Sequence, residues 1–461
     1  MRRLLLLLVA GALTVGAALL PRPAEAPDPE FEGAGLVSDL ADSAGSVWYC
    51  PWMNAGALRD SYVMVATEAE IEVEVTLPSP IPNEAPDRAF VTLGEQSADA
   101  VEVASIVRRG DAPGFVELDG GPAAVASVMT SDTVVTGDRC TASVPKLWHL
   151  PGGTTRPERI TTLRLFNPFP EPAKVTVSAT SEFGEVGLAG FTSIDIGGRS
   201  WKDFILNESV PLLDDLSLSV SSEQGLIIPT LIVATELDEA TWPGTGLSTT
   251  WEFPVVRQTG LVPSLVVSNP GDVDSEIEID VYTGEGSALS TRTATVEARR
   301  PMRIPLGDLA DRFFAIRVRS TEPIAAVVIA EDAVEDLAEE EEGGETPGAP
   351  VSARIAATIG ATNPAVRWLL PGPGVVPTAA STVWLLNSGT DPVSVTIQPL
   401  GGVSLETEKV ALEPGTVRRV VLAQEGQILG YLIAAPSPIS AAWSVETGDG
   451  VAFISGIAVD E

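Results

Sequence analysis

The sequence predicts an all-β protein made of four tandem immunoglobulin-like antiparallel β-sandwich modules of about 100 residues each. Three observations support this: a tetrad Trp-x-x-Pro that occurs four times, segments in which apolar and polar residues alternate, and turn residues between these segments. The chain has 461 residues, 44% of them apolar, which is enough for about three or four separate cores. Little helix is expected.

The tetrads set the period of the repeat. Their tryptophans are 100, 103 and 117 residues apart, and a short apolar run ends 18 or 19 residues after each tryptophan. The signature residues are Trp48 and Pro51, Trp148 and Pro151, Trp251 and Pro254, and Trp368 and Pro371, and the apolar runs end at Thr67, Asn167, Asn269 and Asn387. This period favours sandwiches over a β-propeller, whose blades repeat every ~40–50 residues.

Strands are predicted from period-two alternation in every copy. Ile71, Val73 and Val75 interleave with glutamates, and the other three copies alternate in the same way. Such a pattern is typical of a strand with one face buried and the other in water. A proline-initiated apolar strand, such as Pro122–Val128, ends most units, because proline suits the first residue of a strand.

These landmarks predict the domain boundaries. The segments are a signal peptide or membrane anchor (1–26), a linker (27–44), repeats 1 to 3 (45–144, 145–247 and 248–330), an acidic flexible insert (331–350) and repeat 4 (351–461). The glutamate run in the insert, with its glycines and proline, is typical of a solvated linker, and a calcium-binding segment is the alternative.

The N-terminus indicates export. Arg2 and Arg3 precede the apolar run Leu4–Leu20, and Ala24-Glu25-Ala26 fits a cleavage site. An uncleaved anchor is the alternative, because the run is almost long enough to span a bilayer. We therefore expect an extracytoplasmic protein, either secreted or held at the outer face of the cytoplasmic membrane.

The charge excludes several partners. A formal net charge of −35 repels nucleic acid phosphates and anionic lipids. We expect no nucleic acid partner and a membrane contact only through the N-terminal segment.

Few residues are candidates for chemistry. His149, the single histidine, holds the second tetrad position, where the other copies have Tyr49, Glu252 and Leu369. Because that position tolerates such different residues, we expect a surface location and no catalytic or metal-binding role. Asp272 and Asp274 resemble a loose calcium loop, but a turn is the better interpretation. No cofactor, metal or catalytic residue is predicted.

The two cysteines, Cys50 and Cys140, are predicted to form a disulfide, since an even number of cysteines in an exported chain favours pairing. The alternative, Cys50 as a nucleophile with His149 as base, requires an exposed electropositive thiolate.

Five tryptophans are not shared by all copies. These candidate glycan contacts are Trp52, Trp201, Trp242, Trp384 and Trp443. Exposed tryptophans stack on sugar rings, whereas core positions are the ordinary fate of large aromatic residues.

The Trp-x-x-Pro tetrad, the Leu-x-Leu/Val-x-Asn-Pro run and the Val-x-Val strand together resemble a family of exported actinobacterial proteins of unknown function. The resemblance covers nearly the whole mature chain and implies a cell-envelope location. It implies no activity and no catalytic residue.

Two functional hypotheses follow. The first is a non-enzymatic, elongated scaffold that binds an envelope protein or cell-wall glycan through successive modules. The second is a glycan-binding protein that uses surface tryptophans. A hydrolase with a carboxylate pair remains a third alternative, although no particular pair stands out.

Overall fold

The computed structural model describes residues 47–459 except 58, 82–83, 132–133, 211, 257–259, 285–289, 310–312, 333–353, 373–379, 402–406, 422–428 and 448–449. In these ranges the chain forms antiparallel sheets in a sandwich-like arrangement, which confirms the predicted all-β fold. The N-terminal segment 1–26, the linker 27–44 and most of the acidic insert lie outside the described residues.

The first module has eight strands and a 3₁₀ turn at Val103–Ser105. The strands are β1 (Val47–Cys50), β2 (Asp60–Thr67), β3 (Ile71–Leu77), β4 (Asp87–Leu93), β5 (Ser97–Glu102), β6 (Gly114–Asp119), β7 (Ala123–Thr130) and β8 (Val135–Arg139). They form two four-stranded sheets with the orders β1-β6-β3-β4 and β5-β2-β7-β8.

The second module repeats this order. Its elements are β9 (Leu147–Gly153), β10 (Ile160–Asn167), β11 (Ala173–Ser181), β12 (Gly184–Val186), β13 (Ile194–Ile196), β14 (Ser200–Ile205), helix α1 (Leu206–Ser209), β15 (Leu216–Gln224), β16 (Ile228–Ala234) and β17 (Glu239–Pro243). The sheets run β12-β11-β15-β9, with β13 also on β11, and β14-β10-β16-β17. Within the described ranges, no helix is long and apolar enough to cross a bilayer.

The third and fourth modules each use one long strand in both sheets. The third consists of β18 (Ser248–Phe253), β19 (Leu261–Asn269), β20 (Ser275–Thr283), β21 (Ser290–Val296), β22 (Arg300–Pro305), β23 (Phe314–Asp332) and β24 (Ile355–Ile359). The fourth consists of β25 (Ala365–Pro371), β26 (Ala380–Asn387), β27 (Val393–Leu400), β28 (Glu408–Leu412), β29 (Thr416–Val421), β30 (Gly430–Glu446), β31 (Val451–Ser455) and β32 (Ile457–Ala458). Strand β23 pairs with β19 in one sheet and with β20 in the other, and β30 pairs with β26 and β27 in the same way. Each long strand therefore takes the places that β6 and β7 hold separately in the first module.

The pairing of β24 moves one predicted boundary. Strand β24 pairs with β23, so that Val327 is opposite Ile359, and Ala361 bridges to Glu252 of β18. Residues 355–361 therefore complete the third sandwich, although the sequence analysis assigned them to repeat 4. The insert masked this, because it separates β24 from the rest of its sheet along the chain.

One edge strand near the end of each sandwich meets those of the other sandwiches. Strand β8 contacts β17, β17 contacts β24, β24 contacts β31, and β31 contacts β8. We call β8, β17, β24 and β31 the closing strands. Because β25 of the fourth module also contacts β2 and β7 of the first, the modules form a closed cycle. The expected elongated arrangement is therefore wrong: modules one and four are neighbours.

The run-end asparagines fix the turn that follows each apolar strand. The buried Asn269 amide donates to the carbonyls of Val273 (2.8 Å) and Val296 (3.1 Å), and its Oδ1 accepts the Gly271 N–H at 3.1 Å. Asn167 and Asn387 make the same set of bonds. In the first module the Thr67 hydroxyl binds Ala69 and Pro122 instead. The asparagine side chain thus links the end of its strand to the end of a strand in the other sheet in modules two to four.

We expect Asn269→Ala to lower the free energy of unfolding by roughly 1–3 kcal/mol, because the buried Val296 carbonyl, the Val273 carbonyl and the Gly271 N–H lose their partner. Chemical denaturation of the full chain measures this. Thr295→Ala, at an exposed position of β21 in the same module, is the control and should change stability by less than about 0.5 kcal/mol. Equal effects of the two substitutions would contradict the role of Asn269.

Candidate functional site

The tetrad tryptophans lie in the cores. Trp48, Trp148, Trp251 and Trp368 are all buried, as are the four tetrad prolines. The indole N–H of Trp251 donates to the Ile324 carbonyl at 3.1 Å, and that of Trp368 to the Ile439 carbonyl at 2.9 Å. Both acceptors lie on the long strand of the same module, so these residues hold the first strand in place.

The second tetrad position is buried, which corrects the expected surface location. Tyr49, His149, Glu252 and Leu369 are at most 8% exposed. The physical reason is the closed cycle: the outer face of one sandwich is covered by the next. Tyr49 contacts Phe169 of module two, and Leu369 packs in the core cluster of module one. The four modules have different side chains at this position because each one contacts a different neighbouring module there.

His149 lies on this junction between modules two and three. It is 4% exposed, and its Nδ1 is 3.0 Å from the Ser219 hydroxyl on the neighbouring strand β15. Burial lowers the pKa of His149 to about 4, so the ring is neutral at pH 7. The histidine therefore orients the Ser219 hydroxyl, a contact that the sequence analysis did not foresee.

Glu252 lies in the junction between modules three and four and binds residues of module four. The carboxylate is fully buried and accepts hydrogen bonds from the hydroxyls of Ser388 (2.6 Å) and Ser440 (2.5 Å), both in module four. Arg317 lies 3.5 Å away. These partners satisfy the charge, because a buried carboxylate requires hydrogen bonds or a counter-ion.

The predicted disulfide is present: Cys50 and Cys140 are bonded and buried. The residue after the other closing strands is Gly244, Gly360 or Gly456. A Cβ at Gly456 would lie 2.9 Å from the Trp368 ring, and one at Gly244 would lie 3.1 Å from Trp148. Module one has Cys140 at this position and links it to the first strand covalently, which leaves no thiolate there for nucleophilic chemistry.

Four of the five candidate glycan contacts are buried. Trp242, Trp384 and Trp443 are at most 1% exposed and Trp52 is 2% exposed, because each faces a core or a junction. Only Trp201, on the edge strand β14, is half-buried among the described tryptophans. A buried tryptophan cannot stack on a sugar ring, so the hypothesis of glycan binding through surface tryptophans loses four of its five candidate residues.

The two acidic residues of the loose calcium loop have turn roles. Asp272 pairs with Arg299 at 2.5 Å, and Asp274 accepts the Ala298 N–H at 2.8 Å. Both carboxylates are thus used within the turn.

Two buried carboxylates at the closing strands were missed by the sequence analysis. Asp238 accepts the Ile355 N–H of β24 at 3.0 Å, and Asp138 lies beside Ser455 of β31 and Ile359 of β24. Burial raises the pKa of each to about 7, and nearby backbone N–H groups only partly oppose this. Asp238 thus binds an N–H group on a strand edge of another module and Asp138 lies against two such edges, and no local motif indicates these roles.

A groove opens where module three meets the outer sheet of module two. It has a volume of about 300 Å³. Its floor carries the hydroxyls of Ser178, Thr180, Ser217 and Ser219, and its other wall is Ser268, Pro270 and Arg299. Arg299 reaches Glu185 across it at 3.5 Å.

A second cleft of about 490 Å³ lies on the outer sheet of module three, next to Glu278 and Arg319. In the described part of the chain, no group of acidic, histidine or cysteine residues is arranged to hold a metal ion.

A family model described as a family of unknown function (DUF5719) matches residues 103–420, more than half of the chain. The chain belongs to this family. No curated protein matches it.

Two solved structures show only weak similarity to this chain. "Thermotoga maritima 1070" is 16% identical and covers 25% of this chain and 93% of its own, with a TM-score of 0.19. A glycoside hydrolase family 32 structure from Bifidobacterium adolescentis is 8% identical and covers 90% and 96%, with a TM-score of 0.15. Likenesses this weak carry no argument about function.

We expect the free energy of unfolding to fall as the pH drops from about 6.5 to 4, by about 3 kcal/mol from His149 alone. The unfolded histidine takes up a proton in this window, whereas the buried ring stays neutral. In His149→Gln this contribution is absent, so the stability difference between the variant and the wild type should shrink towards pH 4. Denaturation at pH 7, 5.5 and 4 tests this, and a pH-independent difference would contradict it.

Asp138 should show the opposite trend. The folded carboxyl, with a pKa of about 7, holds its proton where the unfolded one has lost it, so stability falls as the pH rises from about 4 to 7. Asp138→Asn should gain stability relative to the wild type over this range, by roughly 4 kcal/mol at most. The exposed Asp308→Asn removes the same charge at the surface and is the matched control, and an equal gain in both variants would contradict the role of burial at Asp138.

Proposed function

We propose that the protein is a non-enzymatic, exported cell-envelope protein whose four repeated modules form one interaction scaffold. The observation that carries the proposal is the closed cycle of sandwiches. The residues that could carry out chemistry support it, because they are engaged in contacts within the fold. These residues are His149, Glu252, Asp138 and the cysteine pair, and all of them contact neighbouring strands or modules. Such an arrangement holds several different outer surfaces in fixed relation, which suits a binding protein.

The extracytoplasmic location is part of the proposal. The basic and apolar N-terminus followed by Ala24-Glu25-Ala26 supports export, and the buried disulfide suits an oxidising compartment. The family resemblance, with its actinobacterial envelope members, points to the same place. We further propose that the four sandwiches are diverged copies of one repeat, since strand order and tetrad position agree in all of them.

The partner is expected to be an envelope protein or a cell-wall glycan. Acidic residues outnumber basic ones by 63 to 28, which again argues against nucleic acid. Binding through a tryptophan cluster receives no support, because Trp201 is the one half-buried member of the proposed set within the described ranges.

Capture experiments test this function. The tagged mature chain, residues 27–461, should retain a reproducible envelope component from solubilised envelope proteins or purified wall glycans. Captures are repeated in about 0.5 M NaCl, where the short Debye length removes adsorption due to charge alone. Release of sugars or peptides from wall polymers by the purified chain would overturn the non-enzymatic assignment. Recovery of the native protein only in the cytosol would overturn the location.

A further inference from the structure

The outer sheet of module two differs chemically from those of its neighbours. On it, three cross-strand pairs consist only of hydroxyl residues: Ser217 with Thr180, Ser219 with Ser178, and Ser221 with Thr176. We call these six residues the hydroxyl ladder. Ser178 is exposed, and Thr180 and Ser219 are half-buried, so the ladder is open to a ligand.

Charged residues occupy one of these rows in modules one and three. The row of Ser221 and Thr176 corresponds to Glu117 and Glu74 in module one and to Arg319 and Glu278 in module three, when the strands are aligned on the tetrad. Module four has Thr396 and Ala434 in this row, so the uncharged face of module two contrasts with modules one and three in a chain of net charge −35.

The groove gives this face a shape. One end of the hydroxyl ladder forms the floor of the 300 Å³ groove, and Ser268, Pro270 and Arg299 of module three form the wall. This volume is at the low end of ligand sites, which suits a short stretch of a polymer.

Several floor groups are already fixed. The Ser217 hydroxyl donates to Ser268 at 2.8 Å, and Ser219 is held by His149 at 3.0 Å. The hydroxyls of Ser178 and Thr180 make no hydrogen bond to any other described residue, so they remain available to a ligand. Rigid strands with pre-positioned groups lower the entropic cost of binding.

The hairpin that carries Glu185 of the groove has an exposed aromatic side chain at its tip. Phe183 lies at the tip of the hairpin between β11 and β12, two residues before Glu185, and is 78% exposed. The Ser181 hydroxyl accepts the Phe183 N–H at 3.2 Å and so fixes the turn. An exposed ring on the same hairpin as a groove residue offers a flat apolar surface for the C–H face of a sugar.

We propose that the groove between modules two and three binds a neutral saccharide. Hydroxyl side chains both donate and accept hydrogen bonds, which matches a ligand whose own groups are hydroxyls. Phe183 supplies the stacking surface, and Arg299 and Glu185 provide a donor and an acceptor at the rim. This goes beyond the scaffold role, because it assigns a ligand class and a place.

The charge distribution argues against the competing ligands. Polyanions are repelled by the net charge of the chain. A basic peptide would find far more carboxylates on the outer sheets of modules one and three than on the hydroxyl ladder.

Calorimetric titration of the mature chain with neutral arabinan and mannan oligosaccharides, and with a polyuronic acid as the charged comparison, tests the proposal. We expect binding of at least one neutral saccharide and none of the polyuronic acid. Phe183→Ala and the double variant Ser178→Ala/Thr180→Val should each weaken binding about tenfold or more. All three positions are exposed or half-buried, and unchanged unfolding midpoints would confirm that the variants fold.

Matched controls lie on the other modules. Phe90→Ala removes a ring that is 70% exposed on β4, and Thr293→Val/Thr295→Val removes two hydroxyls from the module three cleft. Both should bind the saccharide as the wild type does. The proposal is overturned if no neutral saccharide binds, if the groove variants bind unchanged, or if the control variants lose binding equally. Any of these results leaves the scaffold function to be judged by protein capture.

Discussion

The meeting of the four closing strands is the constraint on which the rest of the structure depends. Each sandwich ends in an edge strand, and an unpaired edge exposes N–H and C=O groups that attract other strands. Here β8, β17, β24 and β31 lie against one another instead. Asp138 and Asp238 lie at these edges, and Asp238 accepts an N–H group of β24. Once the four edges are together, the first and fourth modules must also be neighbours.

Closure changes what each residue of a module faces. In an isolated sandwich the second tetrad residue would point to water, as period-two alternation predicts. In the cycle it is covered by the next module, and each junction then needs its own chemistry. Tyr49 stacks among aromatic rings, Glu252 is held by two serines, and His149 is neutral beside Ser219. The side chain at this position differs between modules because each module contacts a different neighbour there. The difference does not mean that the position accepts any residue.

Local patterns predicted the fold class, the tetrad positions and the disulfide, because alternation, proline placement and cysteine pairing act within one module. They failed where distant parts of the chain meet. Nothing near Asp138 in sequence indicates that Ile359 and Ser455 are its neighbours, and the insert hid the fact that β24 belongs to module three. The burial of Trp384 and Trp443 is the ordinary fate of large aromatic residues, although tryptophan alone suits both a core and a sugar site. The groove was missed because serine and threonine on a strand read as an ordinary solvated face.

Shared and unshared residues therefore have different roles in this chain. The signature residues recur because they build each sandwich, so they carry no information about ligands. The glycine after three of the closing strands belongs to the same class, since a Cβ there would meet a neighbouring ring or backbone. What distinguishes the modules is the outer sheet: carboxylates on module one, mixed charges on module three and hydroxyls on module two. Because the closed cycle fixes these surfaces relative to one another, divergence on one face costs little stability. Function is then best sought where a module departs from the common pattern.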